Sequence, residues 1–198
     1  MEKVRLTKTE LKRQKDSLKR YNRYLPTLYI KKHQLQKQIE RIRMELKKIQ
    51  KEFNKLTDEL TPWIGLLGED VGLNDLIKLQ KIETKKENIA GVDIPVFVKA
   101  HLDIKRYDLF IYPLWVDRAI IIFNKMIYTQ SEKKVLEFQE RCLQKELQVT
   151  SQRVNLFEKV KIPETKEAIR KILIYLGDQQ IAAVGWARIA KKKIERAG

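Results

Sequence analysis

A chain of 198 residues in which 34% of side chains are charged and only seven residues are glycine suits long helices better than a compact α/β enzyme. Its single cysteine, Cys142, excludes an intrachain disulfide and fits a reducing compartment, and no apolar run approaches the ~18 residues of a spanning helix. The formal charge of +16 attracts polyanions in general and is concentrated at the ends: residues 1–33 hold eleven Lys/Arg against three Asp/Glu, and residues 161–198 hold nine against four.

The chain opens on Met1-Glu2-Lys3 with no signal-peptide core, which gives the expectation of a soluble, cytoplasmic protein. Thr7-Lys8-Thr9-Glu10 reads as a capping box, with the Thr7 hydroxyl taking a free backbone N–H at a helix start. From Leu11 to Trp63 apolar residues then recur at alternating steps of three and four: Leu11, Leu18, Tyr21, Leu25, Leu28, Leu35, Ile39, Ile42, Leu46, Ile49, Phe53, Leu56, Leu60 and Trp63. Gln14 and Lys32 fill the two missing steps. A helix keeping this repeat carries one narrow apolar stripe, roughly 80 Å long at 1.5 Å per residue, and needs a second long helix as partner. Pro26 lies inside it; the stripe keeps its phase there, which favours a bend, a break into two helices being the alternative. Thr61-Pro62 reads as the stop, and Gly65, Gly68 and Gly72 loosen the chain beyond it.

Residues 76–102 change to period-two alternation around Asn88-Ile89-Ala90-Gly91-Val92, where Gly91 is free to take positive φ. This predicts a β-hairpin, with Pro95 marking an edge strand. The expectation is a small docking or regulatory appendage leaning on the helices, removable without unfolding them. Residues 103–112 form an aromatic-rich connection of no assignable shape. A second helix opens at Pro113 or Asp117 and runs to about Ile194. Its stripe (Ala119, Ile120, Phe123, Ile127, Leu136, Leu143, Leu147, Val154, Phe157) slips by one residue at Pro163 and resumes at Ile169, Ile172, Leu176, Ala183, Trp186 and Ala190. Such a slip beside a proline implies local unwinding or a bend.

The fold class expected is mainly α: a long antiparallel two-helix coiled coil with a small β-hairpin insertion. Its segments are residues 1–63, a middle segment 64–115 and residues 116–198. The register expected pairs residues whose numbers add to about 201, such as Leu18 with Ala183, Leu25 with Leu176 and Lys32 with Ile169. It brings Thr7 near Ile194 and sets Lys8, Lys12, Arg13 and Lys15 beside Lys191, Lys192 and Lys193 in one positive tip, the candidate partner interface.

No motif for chemistry stands out. There is no glycine-rich phosphate loop, CxxC, HExxH or nucleophile with a base and orienter, so catalytic, cofactor and metal sites are expected to be absent. His33 reads as solvated, His101 as a lone strand histidine, and Trp63, Trp115 and Trp186 as packing residues. Tyr21, Tyr24 and Tyr29 among lysines could interleave with nucleic acid, but Tyr21 sits on the stripe.

Three stretches carry a resemblance: Leu6-Thr7-Lys8-Thr9-Glu10-Leu11; Glu87-Asn88-Ile89-Ala90-Gly91-Val92-Asp93-Ile94-Pro95; and Gln152-Arg153-Val154-Asn155-Leu156-Phe157-Glu158-Lys159-Val160-Lys161-Ile162-Pro163. With these the whole chain resembles the D subunit of the V-type (archaeal and bacterial A/V-type) ATPases and ATP synthases. Tyr24-Leu25-Pro26-Thr27-Leu28 and Ala187 to Lys193 resemble its bacterial branch, which includes the chlamydial type. The resemblance implies a non-catalytic central-stalk rotor without cofactor, peripheral to the membrane. It also implies that both termini enter the hexamer of A and B subunits, that the F subunit binds alongside, and that the far end meets the subunit seated on the membrane ring. The competing classes are a basic nucleic-acid-binding coiled coil, which would show a basic stripe or a known module, and an adaptor coiled coil, which has no need of a hairpin.

Overall fold

In the computed structural model, residues 5–68, 76–105 and 112–197 are described. The elements in order are α1 (Lys8–Leu60), a 3-10 segment (Thr61–Gly68), β1 (Ile77–Ile89), β2 (Val92–Ile104), α2 (Trp115–Asn155), a π-helical turn (Leu156–Lys161) and α3 (Ile162–Ala197). Mainly helical with one antiparallel hairpin, this is the architecture the periodicities predict. The side chain of Trp63, the expected last stripe residue, lies outside the described residues, as do Gly72 and residues 106–111 of the aromatic-rich connection.

α1 starts where its cap predicts. Glu10 N–H donates to Thr7 Oγ1 at 3.2 Å. The reciprocal half of the box is absent: the Glu10 carboxylate accepts from Gln14, while Thr7 N–H donates to the Arg5 carbonyl. The helix continues unbroken through Pro26.

The contacts divide the chain into two compact units, Met1–Lys32 with Val149–Gly198, and His33–Gln148. In the first unit the α1 stripe (Leu11, Gln14, Leu18, Tyr21, Leu25, Leu28, Lys32) is only half-buried. Facing it, Thr150, Val154, Thr165, Ala168 and Ile172 are buried on α2 and α3, a seam with two threonines among its five members. In the second unit the seam is apolar and closed. Leu35, Ile39, Ile42 and Ile49 pack with Leu136 and Leu143. Complete burial of a leucine such as Leu35 or Leu143 contributes about 2–3 kcal/mol.

The hairpin is joined by a two-residue turn with Ala90 at φ 52° and Gly91 at φ 79°, both left-handed as a type I′ connection requires. Asn88 Oδ1 accepts from Gly91 N–H, and its amide donates to Asp93. The register runs from Ile77↔Ile104 to Ile89↔Val92, with irregularities between Leu79 and Lys81 and between Glu83 and Thr84. The hairpin is not an appendage. Ile94 is 2% exposed inside the Leu35–Leu143 cluster, with Ile89, Ala90 and Val92 packed around it. Gln139 of α2 donates to the Pro95 carbonyl, and Phe97 meets Tyr128 edge-on at 5.1 Å. A two-stranded sheet is marginal alone, and these contacts hold it. At its base, Leu76, Val116 and Ile120 form a second cluster under Trp115, where α2 begins.

The register differs from the one expected. Tyr21 meets Phe157 ring against ring at a tilt and Tyr29 bonds Glu158 in the first unit; Arg43 pairs with Glu140 and Lys133 with Gln50 in the second. The numbers of these partners add to between 178 and 187, not 201. The helices are antiparallel, but the partner of a given α1 residue lies 14 to 23 residues earlier on α2 and α3 than the expected alignment puts it. The first part of α2 also has helix-one partners, as Lys133 with Gln50 shows.

Candidate interaction site: the free end of α3

This register has a consequence in the first unit. α1 begins at Lys8, and its seam partners on α3 end near Leu176. α3 continues to Ala197, and every residue from Asp178 to Arg196 is exposed. That segment is rich in apolar side chains: Ile181 is 73% exposed, Trp186 74% and Ile194 73%, with Val184 and Ile189 more than half exposed. Trp186, expected to be a packing residue, is the largest of them.

Helical geometry places these residues on more than one face. At 100° per residue, Ala183, Trp186 and Ala190 fall within about 40° of the direction of buried Ile172, and Ile174 and Ile181 fall on the opposite side. Gly177 and Gly185 interrupt nothing: both lie within α3. Soluble amphipathic helices have one apolar stripe, and a helix apolar on several faces is normally enclosed by other protein.

The seven basic candidates do not form one tip. Lys8, Lys12, Arg13 and Lys15 are exposed at the start of α1. There Lys12 and Arg13 continue into a basic face with Lys19, Arg20 and Arg23, interrupted by Asp16. In the observed register Lys8 lies level with the residues near 175, whereas Lys191, Lys192 and Lys193 are exposed in the free end. The separation along α3 is roughly 24 Å. Two basic bands at different levels replace the single expected cluster. Arg13, itself exposed, approaches the half-buried Glu10 at 3.8 Å, and Lys191 approaches Glu195 at 3.8 Å, the latter an exposed pair worth under about 1 kcal/mol.

The π turn lies within the seam, on the N-terminal side of this end. Pro163 has no N–H, and its ring crowds the carbonyl four residues back. Widening the preceding turn relieves both problems, and Ile162 N–H donates to the Phe157 carbonyl five residues back. The Thr165 hydroxyl donates to the Lys161 carbonyl at 2.6 Å. This is the structural form of the phase slip read at Pro163. Opposite the turn, the Tyr29 hydroxyl donates to Glu158 at 2.7 Å, and that bond to a carboxylate raises the phenol's pKa.

Elsewhere, Glu132 of α2 has its carboxyl pKa raised by partial burial and then by the charges of Glu52 and Glu45. His101 faces Glu83 across the hairpin at 3.0 Å, both exposed. Among the described residues no three His, Cys, Asp or Glu are grouped to hold a metal ion, and no helix is long and apolar enough to cross a membrane. The sequence pattern hides the free end, because its apolar positions continue the heptad beyond the point where the partner helix ends. Apolar residues off the seam line, Ile174 and Ile181, were the available signal.

Residues 10–192 match the profile of the ATP synthase D subunit family. The V-type ATP synthase D subunit of Borreliella burgdorferi is 45% identical over 194 residues, covering 98% of this chain and 96% of that one. The D subunits of Chlamydia abortus and Chlamydia trachomatis serovar L2 are 32% and 30% identical over 196 and 197 residues, again across 98% of this chain and at least 94% of theirs.

Proposed function

The chain belongs to the ATP synthase D subunit family, and on that premise we propose that it is the central-stalk rotor of a V-type ATP synthase. In this reading it is a non-catalytic subunit that carries torque between ATP chemistry in an A/B hexamer and ion movement through a membrane ring. Its partners are the A, B and F subunits and the subunit that links the stalk to the ring. It is peripheral to the membrane, held there through the complex.

The observation that carries the reading is the free end of α3. A partner enclosing Asp178–Arg196 on several sides would bury Ile181, Val184, Trp186 and Ile189, and each large apolar side chain fully buried contributes about 1.5–3 kcal/mol. A socket lined by the A and B subunits meets that need, whereas a flat partner surface does not. The two basic bands then sit at two depths of the socket. Lys8, Lys12, Arg13 and Lys15 act near its mouth and Lys191, Lys192 and Lys193 near its end, through diffuse electrostatics rather than single pairs.

Truncation after Gly177 tests this. The shortened chain retains the whole seam and is expected to melt like the parent, while its affinity for the assembled A/B subunits falls at least tenfold. A truncated chain that binds and couples ATP hydrolysis as well as the full one would overturn the proposal.

A further inference from the structure

We infer that the π turn Leu156–Lys161 holds one residue in excess of the helical repeat and thereby sets the rotational phase of the free end of α3. The second half of this inference, that the phase matters, rests on the socket reading above. Seam positions on α2 and α3 step by four and three from Thr150 to Val154 and Phe157, then by four and four through Lys161 to Thr165, then by three and four to Ala168 and Ile172. Two consecutive steps of four are one residue more than a seven-residue repeat allows. The surplus coincides with the π turn, which accommodates one more residue per turn than an α-helix.

An uninterrupted α-helix would carry the seam from Lys161 to Glu164, Ala168, Lys171 and Tyr175. Two of these are charged, and both Glu164 and Lys171 are about half or more exposed in the structure. With the π turn, Thr165 and Ile172 enter the seam instead, at 6% and 0% exposure. One residue corresponds to about 100° of rotation. The same turn therefore decides which side of the free end carries Trp186 and which carries Ile181. Pro163 fixes the surplus at this place, because the missing N–H and the ring penalise an ordinary α turn just before it.

Two single-residue deletions separate the two claims, both made in a Cys142→Ser background. Deleting Val160 removes the surplus residue from the π turn. The chain then runs as α-helix throughout, and everything from Pro163 onward keeps its orientation. Deleting Asp178 leaves the π turn and the seam alone and turns the free end by about 100°. Seam phase is read in the isolated chain by oxidation of Leu18→Cys with Thr165→Cys and of Leu11→Cys with Ile172→Cys, parent numbering being kept. Both pairs are expected to crosslink in the parent, in the Val160 deletion and in the Asp178 deletion. The Asp178 deletion is expected to melt like the parent and the Val160 deletion below it, because Pro163 then follows an ordinary α turn. Loss of the crosslinks on deleting Val160 would show that the turn holds no removable residue and overturn the first claim. In the assembled enzyme the Val160 deletion is expected to keep coupled ATP hydrolysis, and the Asp178 deletion to lower it at least tenfold despite an intact seam. Unchanged coupling in the Asp178 deletion would overturn the second claim. It would leave the socket itself standing, since that is tested by truncation.

Discussion

Tyr29 of α1 and Glu158 of the π turn are 129 residues apart in sequence and joined by a 2.7 Å hydrogen bond, with the phenol donating. With the Tyr21–Phe157 ring contact at 5.2 Å, it fixes how the helices of the first unit are aligned. The bond stabilises the protonated phenol, so the folded-state pKa of Tyr29 lies above its ordinary value. Its stabilisation is complete below the unfolded phenol's pKa of about 10 and is lost as pH rises through the higher folded value. Tyr29→Phe is expected to melt slightly below the parent at pH 8, and thermal scans at increasing alkaline pH should show the difference shrinking. A difference that grows with pH would assign the effect to something other than this bond.

Glu132 gives a pH dependence at the acidic side. Partial burial and the nearby Glu52 and Glu45 raise its folded pKa above the ordinary carboxylate value. A raised carboxyl pKa means stability is present below the unfolded value and lost as pH rises through the folded one. Glu132→Gln should therefore melt above the parent at pH 7 and converge with it near pH 4. The same stabilisation at both pH values would mean that charge is not the cause.

The hairpin tip is part of the core of the second unit. Ile94→Ala removes a side chain 2% exposed among Leu35, Ile39, Ile42, Leu136 and Leu143, and is expected to cost about 2–4 kcal/mol in chemical denaturation. Deleting residues 82–98 should destabilise the Leu35–Leu143 cluster further. A deletion variant that melts like the parent would restore the hairpin to an appendage.

Gly185 lies in α3, and a Cβ added there meets nothing within 4 Å. Gly185→Ala should therefore stabilise local helix by about 0.8–1 kcal/mol, visible as slower amide exchange from Ile181 to Ile189 in the isolated chain. Exchange at the parent's rate would indicate that the segment is not helical in solution.

Much of this fold is legible in the sequence, and the exceptions share a cause. The α1 stripe is marked residue by residue, down to Gln14 and Lys32 taking half-buried seam positions. The Ala90-Gly91 turn and the slip at Pro163 are local signals and appear where local chemistry puts them. Alignment of two repeating stripes is a different problem, because shifting one by a heptad leaves every apolar position apolar. The polar pairs that join the helices in the observed alignment, Tyr29–Glu158, Arg43–Glu140 and Lys133–Gln50, are not marked by an apolar repeat, and neither are the buried polar residues of α2 and α3. Ser131, Gln139, Thr150 and Thr165 are at most 6% exposed and read as surface residues in a hydrophobic pattern. The burial of Ile94 is equally invisible locally, since alternation distinguishes the two faces of a strand without naming what covers them. The misaligned register also merged two basic bands into one and hid the free end that supports the proposed role.

That role is tested most directly by watching the subunit turn. The A/B hexamer would be fixed to a surface and assembled with a Cys142→Ser, Lys86→Cys chain carrying an optical probe on the exposed face of the hairpin. The rotor reading predicts unidirectional rotation of the probe on adding ATP, ceasing when ATP is exhausted and absent from the chain truncated after Gly177. Sustained ATP hydrolysis with the probe stationary on the full-length chain would contradict it.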